Sequence, residues 1–574
     1  MHHGSRSTRR SRGLRHLTAL LAVAAVALAG CSEPAPAPDP QKPVRTSLTL
    51  GVVGSFTSFN AATAKGDTAA NRAVASLLDE RMGSLDGDLQ VVPNDGLGRI
   101  TRVDGNPLRV SYELNAGRIW SDGSPVTLDD LMFGWAVSSH FFDDATYDAN
   151  GQVVSGTRYF DTAMAPDPAA RTQRPVLDRT KDTLTLTYDQ PFADWNRQWL
   201  LDQPVHVIAE RAGVTVQELM TAIQTVPEGD PTAPVAPNPV LAKAAAVWNT
   251  GFDVAAGSAP DPAAAVVSGP WKVAEATVDS LTLVRRDGYQ GQHNPGLTGL
   301  TVRFFADRAS QLAAVAAGEV DVADVGAVDA DELKTLTDAG VKVQTGPTTQ
   351  TLQLRFTRGT PVPLRQAVTR SLDRDAIVSA ALEDVRPDAK PLQSFLTSPA
   401  TGKLYTDLTS GNGAPSTGAD VDGARSALQG APAVLRVAHD PSDVISSEVF
   451  ARLVANGAEA GIAVRAAETN ETPDATLAWV GEDESLYRSA RDRLTEGIDT
   501  ADATKAFATL KKSTDPVDVL AQAKEIDKAL FASYAGVPLL ERTGAIATSS
   551  AVGGVTYTSD PDGIPPAFWN WTVS

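Results

Sequence analysis

Residues 17–29 (LTALLAVAAVALA) form an uncharged run that ends two positions before the sole cysteine of the chain, Cys31. Five arginines (Arg6, Arg9, Arg10, Arg12 and Arg15) and no acid precede it. As a helix such a run covers about 20 Å, short of the roughly 30 Å of bilayer hydrocarbon, so it reads as the apolar region of an export signal behind a basic one. A single thiol also rules out an intrachain disulfide, a thiolate zinc cluster and iron–sulfur ligation. The body must therefore be held by buried apolar surface. The 574 residues, 42% of them apolar, supply three or four domains at about 150 residues each. Seven histidines, none paired at the spacing of a helical metal motif, give no preformed metal site.

Leu28-Ala29-Gly30-Cys31 resembles a bacterial lipobox. The resemblance implies cleavage before Cys31 and acylation of its thiol and new amino group, and two acyl chains satisfy the requirement for stable membrane attachment. The Arg9-Arg10 pair resembles a twin-arginine signal, with Arg12 where that signal has an aromatic, and leaves the export route open. Losing five arginines and no acid takes the formal charge from -19 to -24. An acidic body cannot neutralise a phosphate backbone, which excludes nucleic acid as a partner. Residues 31–46 form a tether, with SEPAPAPDPQKP at 32–43 too rich in proline to pack a core.

From residue 47 the pattern is globular α/β. SLTLGVV (47–53) is a strand, and 71–85 carries a helical apolar period through Val74, Leu77, Leu78 and Met82. LRVSYEL (108–114) alternates, Ser121-Asp122-Gly123-Ser124-Pro125 is a turn, and Thr127 to Asp130 caps a helix running through Phe133 and Trp135. Further on, VLRVA (434–438), a helix over 447–460 with Phe450, Leu453, Val454 and Ala458 inward, and a strand at 462–465 make a βαβ unit. ATLAWV (475–480) is its third strand. Two stretches, 227–265 and 409–422, are crowded with proline, alanine or glycine and read as loops, the first around a short helix near 242–248. Asp148-Ala149-Asn150-Gly151 has a threonine, Thr146, where a calcium loop has an acid, and reads as a turn.

Four segments in order resemble the family 5 extracellular solute-binding proteins, the dipeptide and oligopeptide receptors of ABC importers. They are Tyr112-Glu113-Leu114 with Ile119 to Leu131; Ser268-Gly269-Pro270-Trp271-Lys272-Val273 with Arg285 to Tyr289; Ala316-Ala317-Gly318-Glu319-Val320-Asp321-Val322; and Pro363 to Val368 with Leu372 to Ile377. Their turns and caps identify a scaffold rather than a site. The resemblance implies a type II (cluster C) periplasmic-binding-protein-like fold, two α/β lobes with a hinge and a smaller inserted third domain. Carried onto this chain, it places a signal peptide at 1–30 and the first lobe at 47–85, 183–356 and 548–574. The inserted unit takes 86–182 and the remaining lobe 357–547.

Open α/β sheets place ligands beyond the carboxyl ends of their strands. In the family the strand ATLAWV ends in a tryptophan with an aspartate three residues on, which anchors the ligand's ammonium group. Here Trp479 matches, the third position is Glu482, and Asp483 follows, so either acid is a candidate. The family also lays extended ligands along the backbone after the first strand, here Lys65-Gly66-Asp67.

The chain carries no GxSxG, P-loop, HExxH or GxGxxG motif. The resemblance implies a monomeric, non-enzymatic receptor on the extracytoplasmic face of the cell membrane, anchored through Cys31. It would need no cofactor or metal, capture a short peptide by hinge closure and deliver it to ABC permease subunits. Oligosaccharide or opine-type solutes, a regulatory lipoprotein binding a glycolipid, and a hydrolase built on paired acids such as Asp129-Asp130 or Asp143-Asp144 are the alternatives.

Overall fold

In a computed structural model, residues 45–574 are described except for 104, 148–152, 482–484, 497, 499 and 560–566. Cys31, the tether and the turn at 148–151 lie outside the described residues. The first strand, Ser47–Val53, buries Leu48 and Leu50 and runs parallel between Gly299–Phe305 and Val322–Gly326. Just before it, the guanidinium of Arg45 grips the carboxylate of Asp321, one arm donating to Oδ1 at 2.7 Å. That carboxylate also accepts from the Thr49 amide at 2.8 Å.

This strand sits in a ten-stranded mixed sheet. The order is Trp271–Ala276, Ser280–Arg285, Gly299–Phe305, Ser47–Val53, Val322–Gly326, Gly536–Thr548, Lys342–Phe356, Ala475–Gly481, Ala433–Ala438 and Ile462–Ala466. Two members are unusually long. Lys342–Phe356 and Gly536–Thr548 pair antiparallel along most of their length. One end of Gly536–Thr548 borders Val322–Gly326, and the opposite end of Lys342–Phe356 borders Ala475–Gly481. Each half of the sheet therefore has its own core: Leu48, Leu50, Leu77 and Trp571 under one, and Leu352, Leu354, Leu435, Val449 and Leu477 under the other.

A separate four-stranded antiparallel sheet, Gly98–Val103, Arg109–Leu114, Thr183–Thr187 and Val176–Asp178, builds the inserted unit. The expected return to the first lobe at 183 thus falls one strand early. Tyr112 and Leu184 face each other across that pairing and both are fully buried, so Thr183–Thr187 stays with the insert. Helix Leu128–Ser138 packs on it, opened by the expected capping box between Thr127 and Asp130. The second oxygen of Asp130 accepts the Val205 amide at 3.0 Å, so one buried carboxylate starts both this helix and Val205–Ala212. At the turn before it Gly123 has φ 91°, and Gly318 has φ 73° just past helix Arg308–Ala316, conformations that side chains resist.

Two expectations shift. The proline-rich excursion contains a longer helix, Pro239–Thr250, whose Trp248 is fully buried with its indole donating to Asp202 at 2.8 Å. In helix Val444–Ala460 the inward stripe is Ser446, Val449, Leu453, Gly457 and Ala460, while Val454 is exposed. Phe450 packs against the second core as expected, half-buried, and stacks on His439 with ring centroids 4.0 Å apart. Four polar-to-apolar steps in the sequence fit either phase, and contact with the flanking strand Ile462–Ala466 selects the one that puts glycine at 457.

Helix Leu128–Ser138 also approaches backbone through a glycine: a Cβ on Gly134 would fall on the Leu200 carbonyl. Gly134→Ala is expected to cost about 1–3 kcal/mol by overpacking, read as a lower unfolding midpoint. Burial pushes the enclosed carboxyl of Asp79 up to about 7, against the pull of Arg81 and helped by Asp202. It pushes Asp527 up to about 6, against hydrogen bonds from Ser394, Phe395 and Asn412. A carboxyl that holds its proton longer when folded stabilises fully below its ordinary value of 3.8 and loses that contribution as pH rises through the folded value. Melting temperature should therefore fall from about pH 4 to about pH 7, and Asp79→Asn should flatten the upper part of that slope.

Candidate functional site

Alternation places Trp479 opposite Leu352 near the carboxyl end of Ala475–Gly481, where the strand leaves the second core. The indole is half-buried, and the guanidinium of Arg542, from Gly536–Thr548 on the far side of Lys342–Phe356, lies 4.2 Å from its ring centroid. Such a stacked cation is favoured by the ring quadrupole. Arg542 is held on its other side by Asp443 at 3.5 Å, the cap of helix Val444–Ala460. The indole Nε1 is buried and has no hydrogen-bond partner among the described residues. Glu482 and Asp483, the candidate ammonium anchors, lie outside the described residues.

After those positions the chain is gripped at once by the other half of the molecule. The Ser485 hydroxyl donates to both oxygens of Asp194, at 2.7 and 2.6 Å. Arg488 stands 3.6 Å from the same carboxylate. One helical turn further, Asp167 accepts from the Tyr487 hydroxyl at 3.2 Å and from Arg491 at 3.0 Å. Tyr487 also meets Phe192 edge-on, centroids 5.7 Å apart. Burial, reinforced by Asp167, pushes the Tyr487 hydroxyl up, so it remains a donor. A third contact joins Arg102 and the Trp195 indole to Thr514 at 2.8–3.1 Å. These pairs are separated by roughly three hundred residues or more and carry no local sequence signal. The carboxyl end of Ala475–Gly481 is thus the place where the two halves meet.

The first-strand loop is differently disposed. The Gly66 amide donates to Thr63 Oγ1 at 2.8 Å, and its carbonyl accepts from Asn71 and from the Thr68 amide, both at 2.8 Å. The Asp67 amide donates to the Thr63 carbonyl, its side chain pairs with Arg72, and Lys65 pairs with Asp253 at 2.9 Å. A Cβ on Gly66 would collide with the Asn60 carbonyl. Lys65-Gly66-Asp67 is therefore a closed turn in which the Gly66 amide and carbonyl and the Asp67 amide are already engaged. The Asn71 side chain, which bridges the Thr57 and Ser58 amides and Gly66, holds that turn, and its position at the start of helix Ala69–Leu78 is a signal the sequence offers only as a polar residue in an apolar face.

A Thr–His–Asp chain does occur, with His140 Nδ1 2.9 Å from Asp143 and Nε2 3.1 Å from Thr162 Oγ1. His140 borders a cavity of about 310 Å³ in the inserted unit, but Thr162 does not, and its hydroxyl donates to the Met164 carbonyl at 2.9 Å. The arrangement ties a loop together. Among the described residues no group of three or more His, Cys, Asp or Glu side chains could hold a metal ion. No described helix is long and apolar enough to cross a membrane.

Comparison with solved structures places the fold. The chain is similar to the periplasmic EDTA-binding protein EppA, with 17% identity, TM-score 0.68, and coverage of 92% of this chain and 97% of that one. It is similar as well to the oligopeptide-binding protein AppA of Bacillus subtilis in complex with a nonapeptide (16% identity, TM-score 0.59, 92% and 99% covered). By sequence it is 27% identical over 474 residues to an uncharacterized lipoprotein of Mycobacterium tuberculosis (strain ATCC 25618 / H37Rv), spanning 79% of this chain and 75% of the relative. The architecture is that of a type II periplasmic binding protein. Residues 100–464, more than half of the chain, match the model for the middle region of the bacterial extracellular solute-binding proteins, family 5, and the chain belongs to that family of ABC-importer receptors.

Proposed function

We propose that this chain is an extracytoplasmic receptor, anchored to the membrane through acylated Cys31, that captures a short peptide by closing its two lobes and hands it to an ABC permease. The observation that carries the reading is the junction after Trp479. A strand end bearing an indole without a hydrogen-bond partner among the described residues is followed, within six residues, by Ser485 bonded to a carboxylate of the opposite half. Glu482 and Asp483 lie between those two points in the sequence, and one or the other is the anchor for the ligand's ammonium group, whose burial without a counter-ion would cost several kcal/mol. The lipoprotein name of the mycobacterial relatives supports the anchor.

A second reading has its own observation. Arg542 stacked on Trp479 places a cation at the same strand end, and a structural neighbour is named for binding EDTA. An anionic solute would use Arg542 where a peptide uses an acid.

Thermal-shift measurement of the full chain with di- to hexapeptides separates the two from each other. A peptide at 100 times its dissociation constant should stabilise by about 2.7 kcal/mol. Glu482→Gln or Asp483→Asn should remove that shift while apo stability stays nearly unchanged. Stabilisation by a polycarboxylate, lost in Arg542→Gln and absent with every peptide, would replace the peptide reading.

The junction itself also predicts a ligand effect at a distance. Asp194→Ala strips Ser485 and Arg488 of a partner that exists only when the halves touch, costing the closed form about 1–3 kcal/mol. Titration should show apparent affinity weakened by about 5- to 150-fold, with the ligand's own contacts intact.

A further inference from the structure

The two long strands have a built-in break. Lys342–Phe356 and Gly536–Thr548 pair from Lys342 opposite Thr548 to Pro347 opposite Thr543, lose register over residues 348–350, and resume at Thr351 opposite Glu541. At the edge of the break glycine faces glycine, Gly346 against Gly544. Neither has a positive φ, so backbone freedom does not explain the choice. Space does: a Cβ on either would run into Tyr557, whose ring lies across both.

Residues 555–559 come from the carboxyl-terminal segment, which is fixed to the first half on either side of them: the Ser549 amide donates to the Asp321 carbonyl at 2.8 Å, and Trp569 stacks on His293 with ring centroids 3.8 Å apart. Residues 555–559 brace the ladder beside the break and reach into it at Thr349. The Gln344 side chain donates to the Val555 carbonyl at 2.9 Å and accepts from the Tyr557 amide at 3.1 Å. The Tyr557 hydroxyl donates to the Pro347 carbonyl at 3.0 Å, and Ser559 Oγ accepts from the Thr349 amide at 3.2 Å. Every one of these contacts lies on the first-half side of the break or within it.

We infer that residues 555–559 are a strap that stiffens the pivot between the lobes, with Tyr557 as its pin, confining the bend to residues 348–351 and 541–543. The inference rests on the receptor reading, because a pivot matters only in a chain whose lobes move. Closure distributes its strain over the strands unless part of the crossing is immobilised, and a ring seated on paired glycines immobilises one side of it. The strap therefore sets how often the lobes part without solute, and with it the residence time of a bound one.

The test uses the full chain with Cys31→Ser and spin labels at Val176→Cys and Val517→Cys. Both valines are exposed, and they stand on opposite sides of the contact between Thr514 and Arg102. Pulsed dipolar distances are compared for the unsubstituted pivot, Tyr557→Ala and Tyr557→Phe. Tyr557→Ala should raise the population at the longer distance at least threefold and speed hydrogen exchange over residues 345–350 about tenfold. Tyr557→Phe, which keeps the ring on the glycines, should recover most of the original distribution. Two distances in the parent with an unchanged distribution in Tyr557→Ala would overturn the strap alone, even if the melting temperature fell. One fixed distance in all three proteins would overturn lobe closure and the strap together.

Discussion

The antiparallel pairing of Lys342–Phe356 with Gly536–Thr548 is the constraint on which the rest of the molecule depends. Backbone hydrogen bonds demand partners along a strand's whole length, so two strands that are each too long for one core must serve two. Each half then gathers its own apolar layer, and the pair between them is the only sheet continuity they share. A wider connection would fuse the cores, whereas a loop would leave the halves without fixed geometry. Two strands give a joint that bends in a defined place.

Polar groups at the meeting surface complement that joint. Asp194 is 9% exposed, and Ser485 and Tyr487 are buried against the opposite half. In water these groups are solvated, so bringing them together exchanges hydration for a few directed hydrogen bonds at modest net gain. Apolar side chains share that surface, with Tyr487 set edge-on against Phe192 inside one buried cluster that also holds Leu486 and Leu200.

Much of the scaffold was legible in the linear chain because its signals are local. Thr127 and Asp130 specify a helix start within four residues, Asp122-Gly123 specifies a turn, and the alternation in LRVSYEL specifies a half-buried strand. The lipobox and the four family segments likewise occupy short windows. The site was legible only in part. Trp479 could be found because it ends a recognisable strand, while Asp167, Asp194 and Arg542 gain meaning from partners hundreds of residues or several strands away. The turn at Lys65-Gly66-Asp67 shows the converse case: a polar loop next to a strand end looks available until its groups are accounted for, and Thr63 accepts from the Gly66 and Asp67 amides while Asn71 donates to the Gly66 carbonyl. The phase of helix Val444–Ala460 was missed for a similar reason, since Gly457 is required by the approach of the following strand.

The clasp of Arg45 on Asp321 gives the molecule a mechanical character. The covalent lead from the amino-terminal side enters at Ser47–Val53, an interior strand flanked on both sides, not at an edge. Tension applied along that lead loads the flanking hydrogen bonds in parallel, as shear, instead of peeling them one by one. A body pulled through this strand would resist being dragged open from its amino-terminal end.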